Sequence, residues 1–290
     1  AVSTAKSCPP ASSSTSDAVT ELELIRDLAR RLPAIGDDCA ILPHGKEDLL
    51  FKVDMLVEDV HFLRRQRTAA QVGHRALARA LSDIAAMGGE PKWAMVALAL
   101  GPWTTPRWVN GFYDGALTLA KQFGVEIVGG DLSHANQLVC DIFAGGVVPR
   151  GKALRRDGAR PGDTIFISGP LGRREWNFLP RLELGQRLRN IATACMDLSD
   201  GLSLDLHRLC VASGVAAELD AVPIARGATE HDALHRGEDY ELLFTAQSAM
   251  IEGAWPIGRI VQTGAKGAVG RVWLRGDAVP LLGYDHLEKK

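Results

Sequence analysis

Apolar positions recur at helical spacing in three stretches of this chain. Leu24, Ile25, Leu28 and Leu32 follow Thr20-Glu-Leu-Glu23, which fits a capping box, and predict a first helix. Val72, Ala76, Leu77, Ala80, Leu81 and Ile84 make a second stripe, ended by Gly88-Gly89. The third opens on Thr105-Pro106, a cap followed by proline at the first helical position, and runs through Trp108, Phe112, Leu119 and Phe123 to Gly124. Strand-like runs occupy 49–55, 125–128 leading into Gly129-Gly130-Asp131, and 137–148. Residues 93–100 are continuously apolar, which predicts a strand buried on both faces.

Beyond a basic, Gly- and Pro-rich stretch at 149–163, strands are predicted at 164–168, 192–196, 215–219 and 240–245. A helix runs from Ser199 to about Ser213, and a hairpin lies near 268–282. Strands and helices interleave without strict alternation, so the expected class is α+β rather than a doubly wound parallel sheet. The expected organisation is a disordered tail over 1–19, an N-terminal domain over 20–149 and a C-terminal α/β domain over 150–290.

Charge and cysteine content remove several functions. Lys and Arg number 33 against 35 Asp and Glu, so no basic excess exists for a phosphate backbone, and nucleic acid is not an expected partner. The longest apolar run, at 93–100, is far below the roughly 20 residues that span a bilayer, so no membrane association is expected. Five scattered cysteines without a Cys-x-x-Cys pair fit a reducing cytoplasm, and the serine-rich start lacks the basic and apolar regions of a signal peptide.

The informative residues are acidic and recur at the ends of apolar segments. Asp38 follows Ile35-Gly36, Asp54 is read as ending a strand, and Asp83 flanks the apolar stripe of its helix. Asp131 follows a strand and two glycines, and Asp197 and Asp200 bracket a helix start. Carboxylates brought together repel unless a hard cation lies between them, and an oxygen-only set suits Mg²⁺, which also bridges phosphates. Glycines at 36, 129, 130, 169, 172 and 237 allow close approach of an anion to the backbone. No P-loop, dinucleotide or protein-kinase signature occurs. His231 and His235 are four apart but lack a third soft ligand, and the tryptophans read as packing residues.

In order along the chain, Ile35-Gly-Asp-Asp-Cys-Ala-Ile-Leu42, Val53-Asp-Met-Leu-Val57 with His61-Phe62, and Ala80-Leu-Ser-Asp-Ile-Ala-Ala-Met-Gly88 precede Gly129-Gly-Asp131. Met196-Asp-Leu-Ser-Asp-Gly201, Gly237-Glu-Asp-Tyr-Glu-Leu242 and Gly283-Tyr-Asp-His286 follow. This set resembles the thiamine-monophosphate kinases, within the superfamily typified by aminoimidazole ribonucleotide synthetase, over about residues 20–290. The resemblance implies two α/β domains, a homodimer formed through the N-terminal sheet, and direct transfer of the γ-phosphoryl of ATP to thiamine monophosphate. It implies Asp38, Asp54, Asp83, Asp131, Asp197 and Asp200 as ligands of several Mg²⁺ ions, with Asp131 and Asp200 catalytic. It further implies Gly130, Asp131, Arg156, Ser199 and Phe112 near ATP, and His61, Glu238 and Tyr284 on the substrate.

Three departures from that resemblance stand out. Lys52 and Val53 replace two hydroxyl residues before the strand aspartate, Ala80 replaces an asparagine, and the segment between Gly172 and Pro180 is short. Along an extended strand Lys52 and Asp54 project to one side, which puts an ammonium where the resemblance implies a hydroxyl beside the metal; two readings stand, that Lys52 replaces one magnesium or that it is a solvated lysine at a strand end. The alternatives to an active kinase are a nucleotide-binding homologue with weak or no turnover and another ATP-dependent synthetase of the superfamily.

Overall fold

The computed structural model describes residues 21–32, 34–263 and 269–284. The expectations for the tail, for the Thr20 cap and for His286 lie outside these residues. Helix α1 (Glu21–Arg31) belongs to one compact unit, and residues 34–284 form the other. The helix carries acids in its first turn and bases in its last, complementing its dipole.

The larger unit begins with β1 (Ala40–His44), β2 (Glu47–Val57), α2 (Ala69–Ala86), β3 (Glu90–Leu100), α3 (Pro106–Phe123), β4 (Glu126–His134) and β5 (Val139–Pro149). It continues with β6 (Thr164–Ile167), α4 (Leu182–Leu188), β7 (Ala192–Asp197), α5 (Leu202–Ser213), β8 (Ala216–Leu219) and α6 (Glu230–His235). The last strands are β9 (Leu242–Ala246), β10 (Trp255–Val261), β11 (Val272–Leu274) and β12 (Asp277–Ala278). The first sheet has the order β1-β2-β5-β3-β4 and the second β12-β11-β8-β10-β6-β9-β7. Among the strands of the described residues only β3–β4 and β8–β11 pair in parallel, so the mixed α+β reading holds.

Helix α2 organises the unit. Its capping box joins Thr68 and Gln71, and its side chains from Val72 to Ala86 are buried almost all round, Leu77, Leu81 and Ile84 completely. It packs on β2 and β5 of the first sheet, on α3 and α4, and on β7 of the second sheet. One apolar core therefore runs from Leu50, Val96 and Ile142 to Phe166, Cys195 and Phe244, and Ala80 is buried within it. A second core lies between the second sheet and α5, around Ile165, Met196, Leu206 and Ile260. No helix among the described residues is long and apolar enough to cross a membrane.

Four sequence expectations are revised. Trp93 and Met95 are 38% and 39% exposed, so β3 buries only the face of Ala94, Val96 and Leu98. Asp54 lies inside β2, which runs to Val57. Strand β4 continues through both glycines to His134, held by parallel pairing with β3 past a bulge, so Asp131 is a strand residue. Helix α5 starts three residues late, because the buried Asp205 carboxylate accepts the N–H groups of Asp200 and Gly201 and shapes a turn there. The pattern also missed β1, an edge strand containing Pro43, and β10, interrupted by Pro256 and Gly258 at a bulge. The short helices α4 and α6 span too few residues to show a period.

Helices α2 and α3 approach so closely that a Cβ on Gly73 would lie 1.9 Å from the Phe112 carbonyl oxygen, and one on Gly115 would lie 1.9 Å from that of Ala70. Gly73→Val or Gly115→Val is expected to cost about 3 kcal/mol, the upper end of overpacking, because backbone must yield. Urea unfolding followed by circular dichroism measures this; an unchanged midpoint would contradict the contact.

Candidate functional site

The site forms where β2, α2, the loop before β1 and the end of β7 meet. In an extended strand alternate residues share a face, so Lys52 and Asp54 both project from β2 toward α2. On α2, Arg79 and Asp83 are one turn apart and meet them: Lys52 Nζ is 2.7 Å from Asp83 Oδ1, and Arg79 Nη2 is 3.0 Å from Asp54 Oδ1. Asp38 enters from the loop and Asp197 from the last position of β7. Carboxylate oxygens of Asp38, Asp83 and Asp197, all three buried, lie within 4.8 Å of one another.

Each acid has its own partner. Arg156 pairs with Asp38 through Oδ1, while Arg156 N–H donates to Asp37 at 2.9 Å. Ser82 Oγ donates to Asp197 Oδ2 at 2.6 Å. Burial, then repulsion from Asp38, pushes the Asp197 carboxyl up to about 7 against the Ser82 bond. Burial raises Asp83 well above the carboxylate range, opposed by Lys52. Burial also works against the Lys52 charge, but Asp83 and Asp54 outweigh it and raise its pKa above the lysine value. Among the described residues the buried Asp38 Oδ2 has no hydrogen-bond partner. An all-oxygen donor set with an orphaned carboxylate oxygen fits a hard divalent cation such as Mg²⁺.

A second group of expected residues is continuous with the first through residues 197–200. The Glu238 N–H donates to the Ser199 carbonyl at 2.7 Å, and the Tyr284 N–H to the Asp200 carbonyl at 3.2 Å. Asp200 pairs with Arg208, which also holds Asp205 at 2.9 Å. Burial, then Asp200, pushes the Asp205 carboxyl up to about 7. Glu238 and Tyr240 adopt φ of 62° and 52°, a left-handed backbone that L residues rarely hold without support. Support comes from Arg75, which is 1% exposed. Its guanidinium lies 3.2 Å from Glu238, donates to the carbonyls of Glu175 and Trp176, and stacks against Trp176, Phe178 and Tyr240. Arg174 approaches the other Glu238 oxygen at 3.5 Å. The short 172–180 segment is thus docked on α2, with Trp176 Nε1 donating to the Gln71 carbonyl.

Other expected residues stand apart. Asp131 does not join the cluster. The register aligns it with Ala97, Asp141 and Met55, a row neighbouring that of Val96, Ile142 and Asp54, and adjacent rows face opposite sides of a sheet. Gly130 has a packing reason of its own: a Cβ there would lie 1.8 Å from the Val96 carbonyl oxygen. Phe112 is completely buried beside Trp108 and Tyr113, so its ring belongs to the core and offers no surface to a nucleotide. His61 lies just after β2, its Nδ1 accepting the Val57 N–H at 2.9 Å. Sequence reasoning missed Arg79, Arg75 and Asp205. The first two are visible as bases four apart within an apolar helix stripe.

The fold and site define a class. The AIR synthase related protein N-terminal domain matches residues 36–148. The thiamine-monophosphate kinase of Salmonella typhimurium is 37% identical over 247 residues, covering 73% of this chain and 75% of that protein. That of Aquifex aeolicus is 33% identical over 248 residues, covering 73% and 80%. Among solved structures, AaThiL complexed with AMPPCP and TMP superposes with a TM-score of 0.84 at 30% identity, over 92% of this chain and 97% of that one. The chain belongs to the thiamine-monophosphate kinase family.

Arg75→Met removes the cation that holds Glu238 and keeps most of the apolar stem. A loss of about 3 kcal/mol is expected, as for a buried ion pair robbed of one partner. Chemical denaturation tests it, and a loss below about 1 kcal/mol would mean that the aromatic stack alone supports the loop.

Proposed function

We propose that this chain transfers the γ-phosphoryl group of ATP to thiamine monophosphate, giving thiamine diphosphate and ADP. A phosphate oxygen of the acceptor forms a bond to the γ-phosphorus as the bond to the ADP oxygen breaks in line. The observation that carries this reading is the convergence of Asp38, Asp83 and Asp197 around an unpartnered carboxylate oxygen, in a chain of this family. The AaThiL structure, which holds AMPPCP and TMP, supports the same pair of substrates here.

Phosphoryl transfer needs little covalent help, so the residues act by positioning and charge. Asp38 and Asp197 would hold Mg²⁺, with Asp54, Asp83 and Asp200 around them, and Mg²⁺ supplies neutralisation of phosphate charge. Arg156 Nε and Arg79 Nε and Nη1 are buried donors without hydrogen-bond partners among the described residues, and a phosphate oxygen would satisfy them. His61, Glu238 and Tyr284 are assigned to the thiamine phosphate, with Glu238 aimed by Arg75 and Arg174. Ser199, through its backbone link to Glu238, would join the two substrates' sites.

The chain is further proposed to act as a homodimer in the cytoplasm. Val53, Met55, Trp93 and Met95 share the outer face of the first sheet and are exposed, Val53 to 60%. A second copy laid on that face would bury them. Asp131 lies on the same face, and any role with Gly130 in nucleotide or metal binding is assigned to that interface. The four described cysteines are buried and unpaired, in keeping with a reducing compartment. Weak or absent turnover is the second reading, favoured by the Lys52–Asp83 pair.

Incubating the protein with ATP, Mg²⁺ and thiamine monophosphate should yield thiamine diphosphate, and Asp197→Asn should lower turnover at least about 100-fold while the fold persists. A folded wild type that makes no product would leave the second reading. Sedimentation velocity should give a dimer that Met95→Asp dissociates, whereas a wild-type monomer would remove the dimer.

A further inference from the structure

We infer that Lys52 is a built-in cation that takes the place of a divalent ion at the Asp83 end of the carboxylate cluster. The chain then binds one divalent ion fewer there than it would with a neutral residue at position 52. The inference rests on the metal reading of this site given above.

Lys52 Nζ is 2.7 Å from Asp83 Oδ1, and the lysine side chain is only 27% exposed. Magnesium binds carboxylate oxygen at about 2.0–2.1 Å and demands near-octahedral geometry. An ion on that oxygen would be thrust against a fixed like charge, so ammonium and metal exclude each other. Charge balance limits the ions as well. With all four acids ionised, Asp38, Asp54, Asp83 and Asp197 facing Lys52, Arg79 and Arg156 carry at most a single net negative charge. One divalent cation already over-neutralises that charge, so the carboxylates of the protein do not by themselves call for several.

The third observation is independent of both and points to where that ion goes. Asp38 is 1% exposed in its side chain, and its Oδ2 has no hydrogen-bond partner. Asp83 and Asp54 have an ammonium and a guanidinium against them, whereas Asp197 receives only a neutral hydroxyl from Ser82. Asp38 Oδ1 is met by Arg156, so the unmet demand lies at Asp38 Oδ2 and Asp197, the end away from the Lys52–Asp83 pair. An empty Asp83 pole would leave a buried carboxylate uncompensated, and the ammonium is present whether or not metal is bound. Lys52 is a positioning residue: it holds the Asp83 carboxylate in place and touches no substrate.

The test is a Mn²⁺ titration of the full chain, free Mn²⁺ being read by electron paramagnetic resonance, for wild type and Lys52→Thr. Lys52→Thr is expected to bind one additional Mn²⁺ per chain, and Asp83→Asn in that background is expected to abolish the gain. Equal stoichiometry and affinity in wild type and Lys52→Thr overturns the inference. So does a second wild-type Mn²⁺ that is lost in Asp83→Asn, a measurement that needs no substitution at 52. Lys52→Met, which keeps the stem, should melt below wild type in metal-free buffer and regain the difference with Mn²⁺; a loss that Mn²⁺ does not restore means that Lys52 is only packing. The kinase assay fails separately. A chain that gains the Mn²⁺ in Lys52→Thr yet makes no thiamine diphosphate upholds the inference and removes the kinase reading, and equal Mn²⁺ counts in a turning-over enzyme do the reverse.

Discussion

Three buried carboxylates within 4.8 Å of one another are the constraint around which this protein is arranged. Removing an ionised carboxylate from water is expensive, and placing several together adds repulsion. The fold answers with a base or hydroxyl for each of the three and for the neighbouring Asp54: Lys52 for Asp83, Arg156 for Asp38, Ser82 for Asp197 and Arg79 for Asp54. Those partners come from a strand, a helix and a loop, so the charges can be matched only when all three are in position. The chemistry of the site and the cohesion of the unit are thereby the same set of contacts.

Helix α2 carries most of that burden. It supplies Arg75, Arg79, Ser82 and Asp83 from successive turns and buries apolar side chains against both sheets between them. A helix buried all round has no solvent face on which to leave a charge, so every polar residue it carries must find a partner. Tight approach of α3 at Gly73 and Gly115 keeps the helix from shifting along its axis. Its N-terminal half fixes Glu238 and the strained loop through Arg75, and its C-terminal half fixes the carboxylates. Movement of α2 would disturb both ends of the site at once.

The loop from Gly237 to Tyr240 stores backbone strain at Glu238 and Tyr240. Such a conformation persists only when its surroundings over-determine it. Here the stack of Tyr240 on Phe178, with ring centroids 4.4 Å apart, and the Arg75 and Arg174 contacts provide that support. The short 172–180 segment supplies Arg174, Trp176 and Phe178, so its brevity does not leave a gap beside the loop.

Local pattern in the sequence was enough for α2 and α3, because each has a cap, an apolar stripe and a terminating glycine within its own span. It was also enough for the acids as a class, since carboxylates at the ends of apolar runs betray their chemistry wherever they point. The alternation of β2 gave the direction of Lys52 and Asp54. Tertiary structure decided which acids meet: Asp38, Asp83 and Asp197 converge from far apart in the chain, whereas Asp131, equally prominent in the sequence, is turned to the other face by the register of β4 on β3. It also decided that Phe112 is core and that Arg75 and Asp205 hold the site's loops. Which face a strand residue presents, and which base a buried acid finds, are set by pairing and packing between distant segments, and a sequence window contains neither.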